Sequence, residues 1–124
     1  MTRDMELIRK IFAEIQKRKD ADLRTLEIPG VDEVIVARHL EMLLTNGFVE
    51  GEQSYPLEQS FPIILVKDLS WSGHDFAAIL ANDSVWAKLK KTFSASELET
   101  LPFGIIKDAG MGLLAQWVKS KVGL

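Results

Sequence analysis

The chain has 124 residues, 47% of them apolar and 27% charged, with a formal net charge of −3. That is one domain, or one domain with a short appendage, and enough chain to bury a core without a disulfide or metal staple. The composition excludes a disordered tail or linker, and the absence of cysteine excludes disulfide scaffolds, zinc–thiolate sites and thiol enzymes.

In chain order, Met5, Ile8, Ile11, Phe12 and Ile15 fall on one face at helical spacing. Asp4 is placed to cap this helix, and Lys17, Arg18 and Lys19 at its far end complement its dipole. Leu23 to Ile28 alternates and reads as a short strand stopped by Pro29-Gly30. Asp32 opens a second helix, to about Asn46, with Val36, Leu40, Leu43 and Leu44 as its core stripe. Asn46-Gly47 is a helix stop, because either residue accepts the left-handed conformation needed there. Phe48 to Glu52 and Phe61 to Leu69 are strand-like, and the polar stretch Gln53 to Ser60 between them is a hairpin tip.

Two or three helices are expected after the hairpin. Ser72-Gly73-His74-Asp75 fits a capping box for a helix carrying Phe76, Ile79 and Leu80. Asn82-Asp83 breaks that helix or caps a continuation carrying Trp86, Leu89 and Phe93. Ser94 to Glu97 is a further box, and Pro102-Phe103-Gly104 interrupts. A last helix, about Ile105 to Val122, is expected to bury Ile106, Leu113, Leu114, Trp117 and Val118. A helix followed directly by a β-hairpin, in a small and mostly helical chain, points to a winged helix with the hairpin as its wing. The predicted fold class is α+β, mostly α. A winged-helix-like domain with a short three-stranded sheet spans residues 1–93. A helical extension, 94–124, packs on it or on a dimer partner.

The stretch from Val36 to Val49, VARHLEMLLTNGFV, resembles the recognition helix and first wing strand of ArsR-type winged-helix regulators, whose pattern there is roughly V-S-R-H-L-x-x-L-x-x-A-G-L-V. Leu69 to His74 resembles the wing-exit step L-T-x-x-G-[HR] of winged-helix proteins. More widely, Arg3 to Arg9, Val36 to Gly47, Leu69 to Phe76 and Asp83 to Trp86 resemble an uncharacterised bacterial and phage family of unknown function. The resemblance covers most of residues 1–93 and implies a winged-helix fold without an activity. The regulator pattern has Ser where this chain has Ala37, and often Lys or Arg where it has Glu41 and Thr45. The helix that should precede a recognition helix is replaced by Leu23 to Gly30.

Charge is distributed unevenly. Residues 1–19 carry six basic and three acidic groups, net +3; residues 20–66 carry two and nine, net −7; residues 67–124 carry seven and six, net +1. The acidic segment holds the second helix and the wing, the parts that would face DNA. A binder contacting about 6–10 phosphates needs cations there.

Ile35, Arg38, His39 and Met42 lie at i, i+3, i+4 and i+7, and are expected on the outer face of the second helix as a partner-binding surface. The alternative is an ordinary solvated face with Ile35 packed under the C-terminal helices. The residues available for nucleic-acid contacts are Arg24, Arg38, Lys88, Lys90 and Lys91. Ser72, His74 and Asp75 sit too close together at one helix start to form a catalytic triad, and read as capping residues. The two histidines match no metal-ligand spacing. Gly110-Met111-Gly112 lacks the third glycine and preceding strand of a dinucleotide loop, and reads as a kink or close helix crossing, in a dimer or within the monomer.

The expectation is a non-enzymatic module that binds a protein partner through the second helix and the acidic wing, as a homodimer and without cofactor or metal. The alternative is a DNA-binding transcriptional regulator using the helix at 32–46. The N-terminus lacks the apolar core of a signal peptide. The longest uncharged run, Ala109 to Val118, is ten residues, half of the roughly 20 needed to span a bilayer. No membrane contact and a cytoplasmic location are expected.

Overall fold

The computed structural model describes residues 1–123. Six helices and two strands follow in the order α1 (Met5–Gln16), α2 (Glu33–Thr45), β1 (Val49–Ser54), β2 (Ile63–Leu69), α3 (Trp71–Ala81), α4 (Asp83–Thr92), α5 (Ala95–Thr100) and α6 (Phe103–Lys121). The architecture is mixed α+β and mostly helical, with one two-stranded antiparallel sheet. Two compact units divide the chain: Met1 with Glu6–His74, and Thr2–Met5 with the chain from Asp75 onward.

In the first unit, Leu7, Ile8, Ile11, Phe12 and Ile15 of α1 are buried, as their spacing requires. The α2 side chains Val36, Leu40 and Leu43 are buried, as are Val49 of β1 and Ile64, Val66 and Leu69 of β2. Asp32 caps α2, its carboxylate accepting from the Val34 N–H at 2.8 Å, and Gly47 leaves the helix with φ +78°. Antiparallel pairing runs from Val49 opposite Leu69 to Ser54 opposite Ile63, with an irregularity between Glu50 and Gly51.

The expected third strand does not form among the described residues. Leu23 to Ile28 contributes one bridge, in which Arg24 and Val66 exchange both backbone hydrogen bonds (3.2 and 2.7 Å). Continuing that register would set Leu26 against Ile64 and Ile28 against Pro62. Proline has no N–H to give, so the ladder has no far end to hold it. The segment instead peels away and closes in a turn, with Val31 N–H on the Ile28 carbonyl at 3.2 Å across Pro29-Gly30.

In the second unit, Phe76, Ile79 and Leu80 of α3, Val85, Trp86 and Leu89 of α4, and Ile106 of α6 are buried. Asn82 caps α4 through the Val85 N–H, and with α5 a separate helix the described residues after the hairpin hold four helices rather than two or three. The Ser94–Glu97 capping box is present in both directions. Arg3 joins this unit: its Nη2 donates to the Leu98 and Leu101 carbonyls at the end of α5 (2.6 and 2.7 Å), and its guanidinium lies 5.2 Å from the Phe103 ring centroid. Burial lowers the pKa of Arg3 below the usual arginine value.

The last helix buries less than its sequence promises. Leu113, Leu114 and Trp117 are half-buried and Val118 is exposed. α6 packs on α4, but at 19 residues against 10 it is roughly 28 Å long against about 15 Å, so its C-terminal half runs past its support. Gly110 marks the close approach: a Cβ there would sit 2.5 Å from Ile79 Cγ2, whereas Gly112 faces open space.

Candidate interaction surface

The outer face of α2 carries the expected partner-binding positions. Ile35 is 44% exposed and Val34 37%, Arg38 is exposed and Met42 half-buried. With Met1 and Glu41 they line a shallow hollow of about 520 Å³. The structure therefore brings Ile35, Arg38 and Met42 together.

His39 does not join them. It is fully buried, and its Nδ1 hydrogen-bonds the Ile35 carbonyl at 2.8 Å, which requires the proton on Nδ1. Position 39 lies three residues after Val36 and four before Leu43, so helical geometry points it into the core stripe. The expected outward histidine is a core residue.

Arg38 has a partner within its own helix. Its Nη1 donates to Glu41 Oε1 at 3.1 Å one turn along α2, and Tyr55 from the hairpin tip donates its hydroxyl to Glu41 Oε2 at 2.5 Å. The tyrosine hydroxyl, and then Arg38, hold the Glu41 carboxyl below its ordinary pKa, although partial burial opposes them. The same contact raises the Tyr55 phenol. The one arginine of α2 is thus ion-paired within the helix while its side chain stays half exposed. Arg24 is engaged too, 2.7 Å from Asp20.

The remaining candidate cations lie in the other unit. Lys88, Lys90 and Lys91 are all exposed on α4, with Lys90 Nζ 5.4 Å from the Trp86 ring centroid. At the start of α3, the cap is Ser70 rather than Ser72. Ser70 Oγ accepts from the Gly73 N–H at 3.0 Å and donates to the Gly47 carbonyl at 2.5 Å, while Ser72 makes a longer bond to the same carbonyl. His74 Nε2 is 3.5 Å from Asp68 Oδ1, not from either serine. Among the described residues no group of three or more His, Asp or Glu side chains is placed to hold a metal ion. No helix among them is long and apolar enough to cross a membrane.

Val34, Glu41 and Tyr55 belong to this surface and were not signalled as such. The Arg38–Glu41 pair is legible as an i, i+3 spacing. The Tyr55 contact is not, because it depends on where the hairpin folds.

Residues 2–99 match a family model described as "Hypothetical protein (DUF2513)". Among curated proteins, one from Haemophilus influenzae, described as "Uncharacterized protein", is 27% identical over 118 residues, covering 94% of this chain and 98% of that protein. No solved structure matches the chain.

Proposed function

The chain belongs to this DUF2513 family of hypothetical proteins, and on that premise we propose that it is a non-enzymatic interaction module built on a winged-helix-like first unit. The order supporting the fold reading is helix, extended segment, helix, hairpin. In it α2 takes the place of a recognition helix and β1–β2 that of a wing. The observation carrying the functional reading is the state of that helix: apolar outside, with its single arginine already held by Glu41 under the Tyr55 hydroxyl. A surface of exposed Val34 and Ile35 with Met42 and a central arginine has the composition of a protein interface. It lacks the cations a phosphate backbone demands.

The module works as a homodimer in this reading. Met111 and Val118 are exposed on α6 beside half-buried Leu114, seven residues apart on one helix face, and exposed Val122 follows at its C-cap. Sedimentation showing a monomer at tens of micromolar protein rejects the dimer.

DNA binding provides the main test. Fluorescence anisotropy with duplex DNA at low salt is expected to show no saturable binding. Tight binding that falls steeply with salt and is lost in Arg38→Glu makes the chain a DNA-binding regulator instead, with Lys88, Lys90 and Lys91 as its backbone contacts. The positive arm is a partner captured from the native host by the unaltered chain and lost with Ile35→Asp. Ile35 is exposed, so that change spares the fold.

A further inference from the structure

On the other flank of α2 lies a cleft that the α2-face reading does not use. Where the Leu23 to Ile28 segment parts from β2 after its single pair with Val66, it leaves a space of about 230 Å³. Leu26, Leu40, Phe61 and Ile63 supply its apolar walls, and Glu27 and Glu33 also line it. We propose that this cleft receives one arginine side chain presented by an extended segment of a partner protein.

The cleft proper, at about 230 Å³, is of side-chain size. An adjoining hollow makes the whole an open trough, which suits an extended segment carrying one side chain into the cleft. Its chemistry is divided as an arginine is divided. The aliphatic stem lies along apolar surface while the charged head reaches a polar rim. A planar guanidinium pairs with carboxylates through two parallel hydrogen bonds, which an ammonium cannot do.

The carboxylates are available. Glu27 and Glu33 are both exposed, and neither has an ion pair among the described residues. The two arginines of this acidic stretch are committed elsewhere, Arg24 to Asp20 and Arg38 to Glu41. The adjoining hollow, of about 420 Å³, shares Leu26, Glu27, Glu33 and Val36 and runs on past Pro29. It extends the cleft into a trough, giving the residues that flank the arginine a place to lie. The site is separate from the outer face of α2. Glu33 and Ala37 border it, whereas Ile35 and Met42 line the hollow on that face.

The test titrates the full chain with a fluorescein-labelled pentapeptide, SVRVS, and with the same peptide carrying uncharged citrulline in place of arginine. The arginine peptide is expected to bind saturably. Binding should weaken by at least about tenfold for the citrulline peptide and for the Glu27→Gln/Glu33→Gln variant, since each removes the charge-assisted pair. It should be unchanged for Glu50→Gln/Glu52→Gln, which removes equal charge from β1. Amide shifts on an ¹⁵N-labelled chain should concentrate at 25–27, 33–40 and 61–64. No saturable binding up to millimolar peptide overturns the proposal, as does equal binding of the citrulline peptide. Equal loss in the two glutamine variants overturns it too, by reducing the effect to diffuse charge. Ile35→Asp is expected to bind the peptide normally, so failure here is distinguishable from failure of the α2-face reading.

Discussion

Replacing Arg3 by Met should destabilise the second unit while keeping an unbranched apolar stem. Its Nη2 serves two carbonyls at the end of α5, Leu98 and Leu101, which helix geometry leaves without partners. Hydrogen bonds from a charged donor contribute about 1.5–3 kcal/mol each. The guanidinium over Phe103 adds about 0.5–2 kcal/mol. Against this stands burial, since Arg3 Nε is buried without a hydrogen-bond partner and an orphaned group costs about 1–3 kcal/mol. The carbonyls freed by the substitution regain water, which trims the loss further. The expected net is about 2–3 kcal/mol, or a melting temperature lower by roughly 6–15 °C for a chain of this size. Urea denaturation followed by far-ultraviolet circular dichroism measures it. Arg3→Lys should lose less than half as much, because one ammonium nitrogen can serve both carbonyls but cannot lie flat on the ring. A change below about 0.5 kcal/mol in Arg3→Met refutes the capping role. If Arg3→Lys is as damaging as Arg3→Met, the stacking on Phe103 carries the effect and the carbonyl bonds do not.

The single tyrosine gives a clean alkaline titration: its absorbance midpoint should lie above the ordinary value of about 10, and Glu41→Gln should bring it down. The tether between hairpin tip and α2 has two pH limits. Because the folded pKa of Glu41 is depressed, its share is present above the unfolded carboxylate value and lost as pH falls through the folded one. Because that of Tyr55 is raised, its share is present below the unfolded phenol value and lost as pH rises through the folded one. Gly110→Ala should destabilise by about 1–3 kcal/mol by pressing on the β-branched Ile79, whereas Gly112→Ala should stabilise by about 0.4–1 kcal/mol; denaturant midpoints of opposite sign check the pair. Ser70→Ala should cost about 1 kcal/mol as a lost helix cap, and Ser72→Ala much less, by the same denaturation assay.

What was legible in the sequence was local. The α1 stripe, the caps at Asp32, Asn82 and Ser94, and the stop at Asn46-Gly47 each depend on residues within one turn, and each is found in place. Two of the failures, the third strand and the end of α6, required distant information, whereas His39 and Ser72 were local misreadings. Leu23 to Ile28 has strand alternation, but its pairing stops at Arg24 and Val66, and that partner is about 40 residues away. His39 sits at a core position by spacing, yet its polarity argued for the surface; the Ile35 carbonyl makes burial affordable. Ser72 matched the capping pattern, but α3 begins at Trp71, two residues earlier than that cap implies, and Ser70 takes the role. The exposure of the end of α6 follows from the lengths of α4 and α6, which neither helix encodes alone. At the candidate surface, Ile35, Arg38 and Met42 were readable from helical spacing, and the Tyr55 contact was not.

That Thr2–Met5 count with the chain beyond Asp75 has a bearing on the order of events during synthesis. Arg3 leaves the ribosome well before its partners, because the α5 carbonyls that it holds are made roughly a hundred residues later. Residues 6–74 have all their own chain available well before then and can settle while Arg3 waits. Cleaving the backbone between His74 and Asp75 would leave this second unit in two pieces, held by contact alone. The pairing of Arg3 with the end of α5 is therefore a late step, made once α5 is present.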